Sequence, residues 1–133
     1  MPRLTVVLLD PYSFTVGFNV FMLRASATEL ASRRVAVAAI AAERYRRAHG
    51  GAASPSLDAL VPGLLPRVPE DPYSGRPLVM KPDAGGYTIY SLDWDRRDDG
   101  GILYGFGAAQ TQHVGPQSPR DFGIHLPLTT RRH

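Results

Sequence analysis

Apolar and polar positions change rhythm along the chain, and the changes mark its elements. From Phe14 the apolar residues Phe14, Val16, Phe18, Val20 and Met22 alternate, a period of two that suits a strand. They lie in an apolar run, residues 4–23, that is about the length needed to cross a bilayer and is flanked by Arg3 and Arg24. Asp10 and Pro11 interrupt it, and an aspartate in a bilayer costs roughly 2.5–3.5 kcal/mol on insertion scales. A buried or partner-covered segment is therefore preferred to a spanning one. Ser26 and Glu29 then have the spacing of a capping box, which predicts a helix start. No Gly or Pro follows until Gly50, alanines abound, and Gly50-Gly51 supply the stop. Leu30, Val37, Ile40, Ala41, Tyr45 and Ala48 fall on one side at helical spacing and are the expected core face. Such a helix is about 30 Å long, longer than a small sheet covers, so its early turns are expected to pack on something outside the domain.

Beyond residue 50 the pattern shortens. Ser54-Pro55 reads as the start of a short second helix, with Leu57, Leu60 and Val61 as its buried side. Residues 64–77, LLPRVPEDPYSGRP, are dense in proline and predict a stiffened loop. Leu78 to Lys81 and Tyr87 to Leu92 read as a hairpin around the turn Pro82 to Gly86. Ile102, Tyr104 and Phe106 alternate as a third short strand, residues 107–120 read as a surface loop, and Phe122, Ile124 and Leu126 alternate as a last strand. The expectation is an α+β fold, a long helix on a small antiparallel sheet. It comprises an N-terminal apolar segment (1–25), one domain (26–128) and a polar tail (129–133).

Composition narrows the function. A chain of 133 residues supports one core. Its 15 basic residues against 12 acids give +3, and Lys81 is its single lysine. Arg33, Arg34, Arg44, Arg46 and Arg47 form the densest basic stretch; it reads first as a solvated helix face and second as a contact for nucleic acid or anionic lipid. With no cysteine, disulfides, thiolate metal sites and cysteine catalysis are excluded. His49, His113, His125 and His133 show no metal-ligand spacing, and no nucleophile elbow is present, so the chain is expected not to be an enzyme. The chemistry concentrates in YTIYSLDWDRRDDGG, Tyr87 to Gly101, where a strand pattern runs into Asp93, Asp95, Asp98 and Asp99. Solvent, the neighbouring Arg96 and Arg97, or a bound cation could offset that charge. Clustered carboxylates on a glycine-bounded loop suit calcium, which takes roughly six to eight oxygen ligands. The spacing is not that of an EF-hand.

The order ERYRRAHG, then SLDALVPGLLPRVPEDPYSGRPL, then GGYTIYSLDWDRRDDGG resembles the soluble head of the type II secretion major pseudopilin and its pilin-like relatives over roughly residues 33–101. The resemblance implies a calcium loop after the sheet's central strand, with carboxylate ligands from Asp95, Asp98 and Asp99 and the backbone carbonyl of Leu92 as a further group. It also implies other protein subunits as partners, in a homo-oligomer or a membrane complex, and an extracytoplasmic or membrane-associated location. No nucleic acid or small-molecule substrate is expected. Around Phe14 the chain has SFTVGFNVF, without the glycine before the phenylalanine or the glutamate at the fifth following position that pseudopilins carry. A pilin-like domain reused elsewhere, or a chain whose start lies upstream, is the corresponding expectation.

Overall fold

The computed structural model describes residues 11–103 and 121–128, with side chains from residue 15. A single helix, α1 (Pro11–Ala48), extends over 38 residues. Its C-terminal part packs on an antiparallel sheet of β1 (Val79–Asp83), β2 (Gly86–Ser91) and β3 (Phe122–Pro127), ordered β1-β2-β3. The architecture is α+β, as the hydrophobic pattern predicts. The hairpin and the last strand form where expected.

The N-terminal half departs from the sequence expectation. Phe14 to Met22 is helix, not strand, and α1 passes through Ser26 without a break. Pro11 opens it at the first helical position, where a missing amide is harmless and the fixed φ is already helical. Ser26 does not cap: its hydroxyl donates to the Met22 carbonyl one turn back at 3.0 Å, and Thr28 does the same to Arg24 at 3.0 Å. Back-bonding of this kind satisfies polar side chains inside a helix, which a capping motif alone does not reveal.

The core face is also rotated from the expected one. Ala31, Val35, Ala38, Ala39, Ala41 and Ala42 are buried, whereas Leu30, Val37 and Ile40 are 40%, 51% and 62% exposed. Of the predicted stripe, Ala41 is buried, Tyr45 packs partly on the core and Ala48 is exposed. Packing explains the choice. β2 presents the large residues Tyr87 and Ile89 to the helix, and Leu57, Leu60, Leu65 and Leu78 complete the cluster. A face of small side chains lets the helix approach closely, and the larger apolar residues are left outside.

The short helix expected at Ser54 is a single 3-10 turn, Asp58–Leu60, although Leu57 and Leu60 are buried as predicted. The serine at 54 instead donates to the Ser56 carbonyl at 2.7 Å. The proline-rich loop closes on itself: Asp71 N donates to Arg76 O at 2.7 Å and Leu78 N to Pro69 O at 2.9 Å. Of the expected third strand, Leu103 forms an isolated parallel bridge with Asp121, while Tyr104 and Phe106 lie outside the described residues. The segments 1–10, the 107–120 loop and the 129–133 tail lie outside them too.

Candidate functional site

β2 is buried along its whole length and delivers the chain directly into the acidic loop. Tyr87 and Tyr90 point to opposite faces, as their spacing requires. Tyr87 faces α1, where its hydroxyl donates to Glu43 Oε1 at 2.9 Å. Glu43 is held below the usual carboxylate range, first by its hydrogen bond with Arg46 and further by Tyr87. Tyr90 lies beneath the acidic loop and donates to Asp98 Oδ1 at 2.9 Å. Burial and that carboxylate both push the Tyr90 phenol upward, so it stays a donor across the working pH range. The ring needs close approach: a side chain at Gly123 on β3 would collide with the Ile89 carbonyl and with Tyr90 itself.

The predicted ligands can now be placed. Asp95 Oδ1 accepts from Arg97 N at 3.0 Å, and Asp98 Oδ1 accepts from Gly100 N at 2.9 Å as well as from Tyr90. Leu92 N donates to Asp71 Oδ2 at 3.1 Å, and Asp99 N to Asp121 Oδ2 at 3.1 Å. The loop turns tightly, with positive φ at Asp93, Arg96, Gly100 and Gly101. Such angles cost a side chain energy at the first two, and glycine removes that cost at the last two. Lys81 approaches, donating Nζ to the Gly100 carbonyl at 2.8 Å.

Two aspartates absent from the predicted site hold the loop in place. Asp71, in the proline-rich loop, accepts from Ser91 Oγ at 2.7 Å, Leu92 N at 3.1 Å, Tyr73 N at 3.0 Å and Ser74 Oγ at 2.9 Å. It thereby ties the entry of the acidic loop to a turn of its own. Asp121, one residue before β3, accepts from Asp99 N and from Gly101 N at 2.8 Å through Oδ2. Its Oδ1 is buried and has no hydrogen-bond partner among the described residues. Burial raises its pKa to about 6 against the two amide bonds that lower it, with Asp99 and Asp98 adding to the rise.

The sequence contains a signal for Asp121. If the last strand pairs antiparallel with the central one, its first residue must lie beside the central strand's end, where the acidic loop begins. The register Ser91 to Phe122 does this. No comparable local signal marks Asp71, whose partners come from folding of the proline-rich loop. Among the described residues no group of three or more acids or histidines is already gathered to hold a metal ion. No family model, curated protein or solved structure matches the chain.

Proposed function

We propose that this chain is a non-enzymatic, pseudopilin-like assembly subunit whose acidic loop is stabilised by calcium and whose long helix docks to a partner or a membrane-associated complex. One observation carries the cation reading: Oδ1 of Asp121, near Asp98 and Asp99, is buried and has no hydrogen-bond partner among the described residues. A buried carboxylate oxygen without a donor is costly, and a cation supplies the missing partner. The donor set is all oxygen and mostly anionic, which suits a hard cation of flexible coordination. Asp98, Asp99 and Asp121 would hold the ion, with Asp95 and the Leu92 carbonyl as further groups. Calcium would neutralise the cluster; Asp71 and Tyr90 would keep the loop on the sheet in either state.

The docking reading rests on α1. Val16, Phe18, Val20, Phe21, Met22 and Leu23 are all 44–71% exposed, on every side of the helix, and a helix apolar all round requires cover. Among the described residues no helix is long and apolar enough to cross a membrane. The basic stretch is partly committed within the fold: Arg33 pairs with Glu29, Arg34 donates to the Glu70 carbonyl, and Arg46 pairs with Glu43.

Thermal melts with calcium and with chelator test the cation. With an affinity like that of extracellular calcium modules, ~1 mM calcium should add about 0.4–1.4 kcal/mol. Asp98→Ala with Asp121→Ala should abolish the shift. Identical melting in several millimolar calcium and in chelator would remove the cation from the proposal.

A further inference from the structure

The two edges of the sheet are built differently. In an antiparallel pair, successive residues aim amide and carbonyl alternately at the neighbouring strand and away from it. Leu128 N donates to the Gly85 carbonyl at 2.7 Å, one step beyond the Gly86 to Pro127 pair, so Leu126, Ile124 and Phe122 turn towards β2 while Gly123 and His125 turn outward. On the other side the same alternation aims Thr88 and Tyr90 at Lys81 and Val79 and leaves Met80 and Pro82 facing out from β1. Pro82 has no amide to offer, and the exposed Lys81 and Asp83 flank it, so this edge is closed to a further strand. β3 (FGIHLP) carries no proline before its last residue and no Asp, Glu, Lys or Arg, and it presents complete amide and carbonyl pairs at Gly123 and His125. Among the described residues it pairs with β2 alone.

Beside that open edge lies a groove. Ile124 and Leu126 line a space of about 350 Å³ with Ala36, Ile40, Arg44 and Arg47 of α1. Its apolar members are uncovered: Ile40 is 62% exposed and Ile124 40%. Glu43, the one acid of the lining, is already bonded to Arg46 and to the Tyr87 hydroxyl, so the charge left for an occupant is positive. The His125 side chain stands on the opposite face of the sheet, with Thr88 and Asp83, and leaves the groove clear. Edge and groove together supply what an added strand requires, main-chain groups to pair with and a pocket for alternate side chains.

From this we infer that β3 takes up an extended segment of a partner protein as a fourth strand, with apolar side chains on one face filling the groove and carboxylates on that face meeting Arg44 and Arg47. The unpaired groups of Gly123 and His125 select an extended backbone; a lipid chain fills the groove but leaves them without partners. The arginines select acidic residues, which a second β3 does not carry. This surface involves β3 and the C-terminal part of α1, so it stands whatever covers the exposed N-terminal turns and does not depend on calcium.

The test uses the full chain, isotope-labelled, and the end-capped peptide Asp-Thr-Val-Thr-Val-Thr-Asp, whose alternation puts both valines and both aspartates on one face. Without peptide, the Gly123 and His125 amides should exchange with solvent quickly and those of Ile124 and Leu126 slowly. Adding peptide should slow exchange at Gly123 and His125 in a saturable way, with a Kd of about 1 mM or tighter. Ile40→Asp, at an exposed position, should weaken binding at least about tenfold while leaving melting and circular dichroism unchanged. Arg44→Glu with Arg47→Glu should weaken it at least about fivefold, and the same peptide with lysines for aspartates should recover binding to that variant. No protection of Gly123 and His125 at about 5 mM peptide overturns the added strand. Binding that moves only the groove side chains overturns it too, as does displacement of the peptide by phosphatidylglycerol vesicles that occupy the groove. Protection already present without peptide also overturns it: it means an edge paired within the chain if independent of protein concentration, and a second copy if it grows with concentration. Repeating the titration in chelator keeps all these outcomes separate from the cation reading.

Discussion

Asp71 is 1% exposed and Asp121 is 0% exposed, and each uses its carboxylate to hold a loop against the sheet, but they are satisfied to different degrees. Both oxygens of Asp71 accept hydrogen bonds, from Ser91, Leu92, Tyr73 and Ser74. Among the described residues Asp121 bonds through Oδ2 alone, and burial with Asp99 and Asp98 nearby raises its pKa to about 6. A fully bonded buried carboxylate is a structural part that works without help. A half-bonded one beside other acids is a place where the fold tolerates a cost, and such costs concentrate where something binds.

The largest effect expected from this contrast is at Asp71. Asp71→Ala strands the Ser91 hydroxyl and the Leu92 and Tyr73 amides in or near the interior, and unfolding by urea should show a loss of about 3–5 kcal/mol. A loss below about 1 kcal/mol would mean that the clamp is dispensable and the comparison empty.

Asp121→Asn should behave in the opposite way. The amide oxygen can still accept from Asp99 N and Gly101 N, while the buried negative charge is removed. In chelator at neutral pH the variant should be as stable as wild type or up to about 2 kcal/mol more stable. It should also lose most of the stabilisation that calcium provides. A variant destabilised like Asp71→Ala would show that Asp121 is a clamp of the same kind.

Acidification gives a smaller and reversible version of the same test. Asp121 binds its proton more tightly folded, near pH 6, than unfolded, near 3.8. Its contribution to stability is therefore complete below about pH 4 and is lost as the pH rises through about 6. Lowering the pH from 7.5 to 5 in chelator should stabilise the wild type relative to Asp121→Asn by on the order of 1–2 kcal/mol. Calcium, which favours the ionised carboxylate, should flatten that difference. A wild-type curve parallel to that of the variant would show that the carboxyl titrates normally.

Parts of the fold that depend on neighbours in the chain were legible. The hairpin around Pro82 to Gly86, the stop at Gly50-Gly51 and the alternation of Phe122, Ile124 and Leu126 each rest on local turn chemistry or period, and each is present. The extent of α1 was less legible, because alternation over Phe14 to Met22 and a capping motif at Ser26 are both compatible with helix when side chains bond back to the preceding turn. Its core face was misassigned for a packing reason. Large apolar residues look like core, but opposite Tyr87 and Ile89 the sheet accepts alanines.

The candidate site divides in the same way. The cluster Asp95, Asp98 and Asp99 and its glycine boundary belong to one loop and can be read from the chain, together with the α+β order of elements. Asp71 and Asp121 could not be assigned by spacing alone, since the acidic-loop groups they bind lie 20–22 residues away along the chain, and the folded sheet and proline-rich loop bring them together. Sequence alone determined where negative charge is concentrated and, by local rules, the hairpin, the last strand and the C-terminal end of α1. Tertiary structure decided which carboxylates are buried, which of their oxygens find donors, and which face of α1 is used up internally, because desolvation and packing depend on residues the chain keeps far apart until it folds.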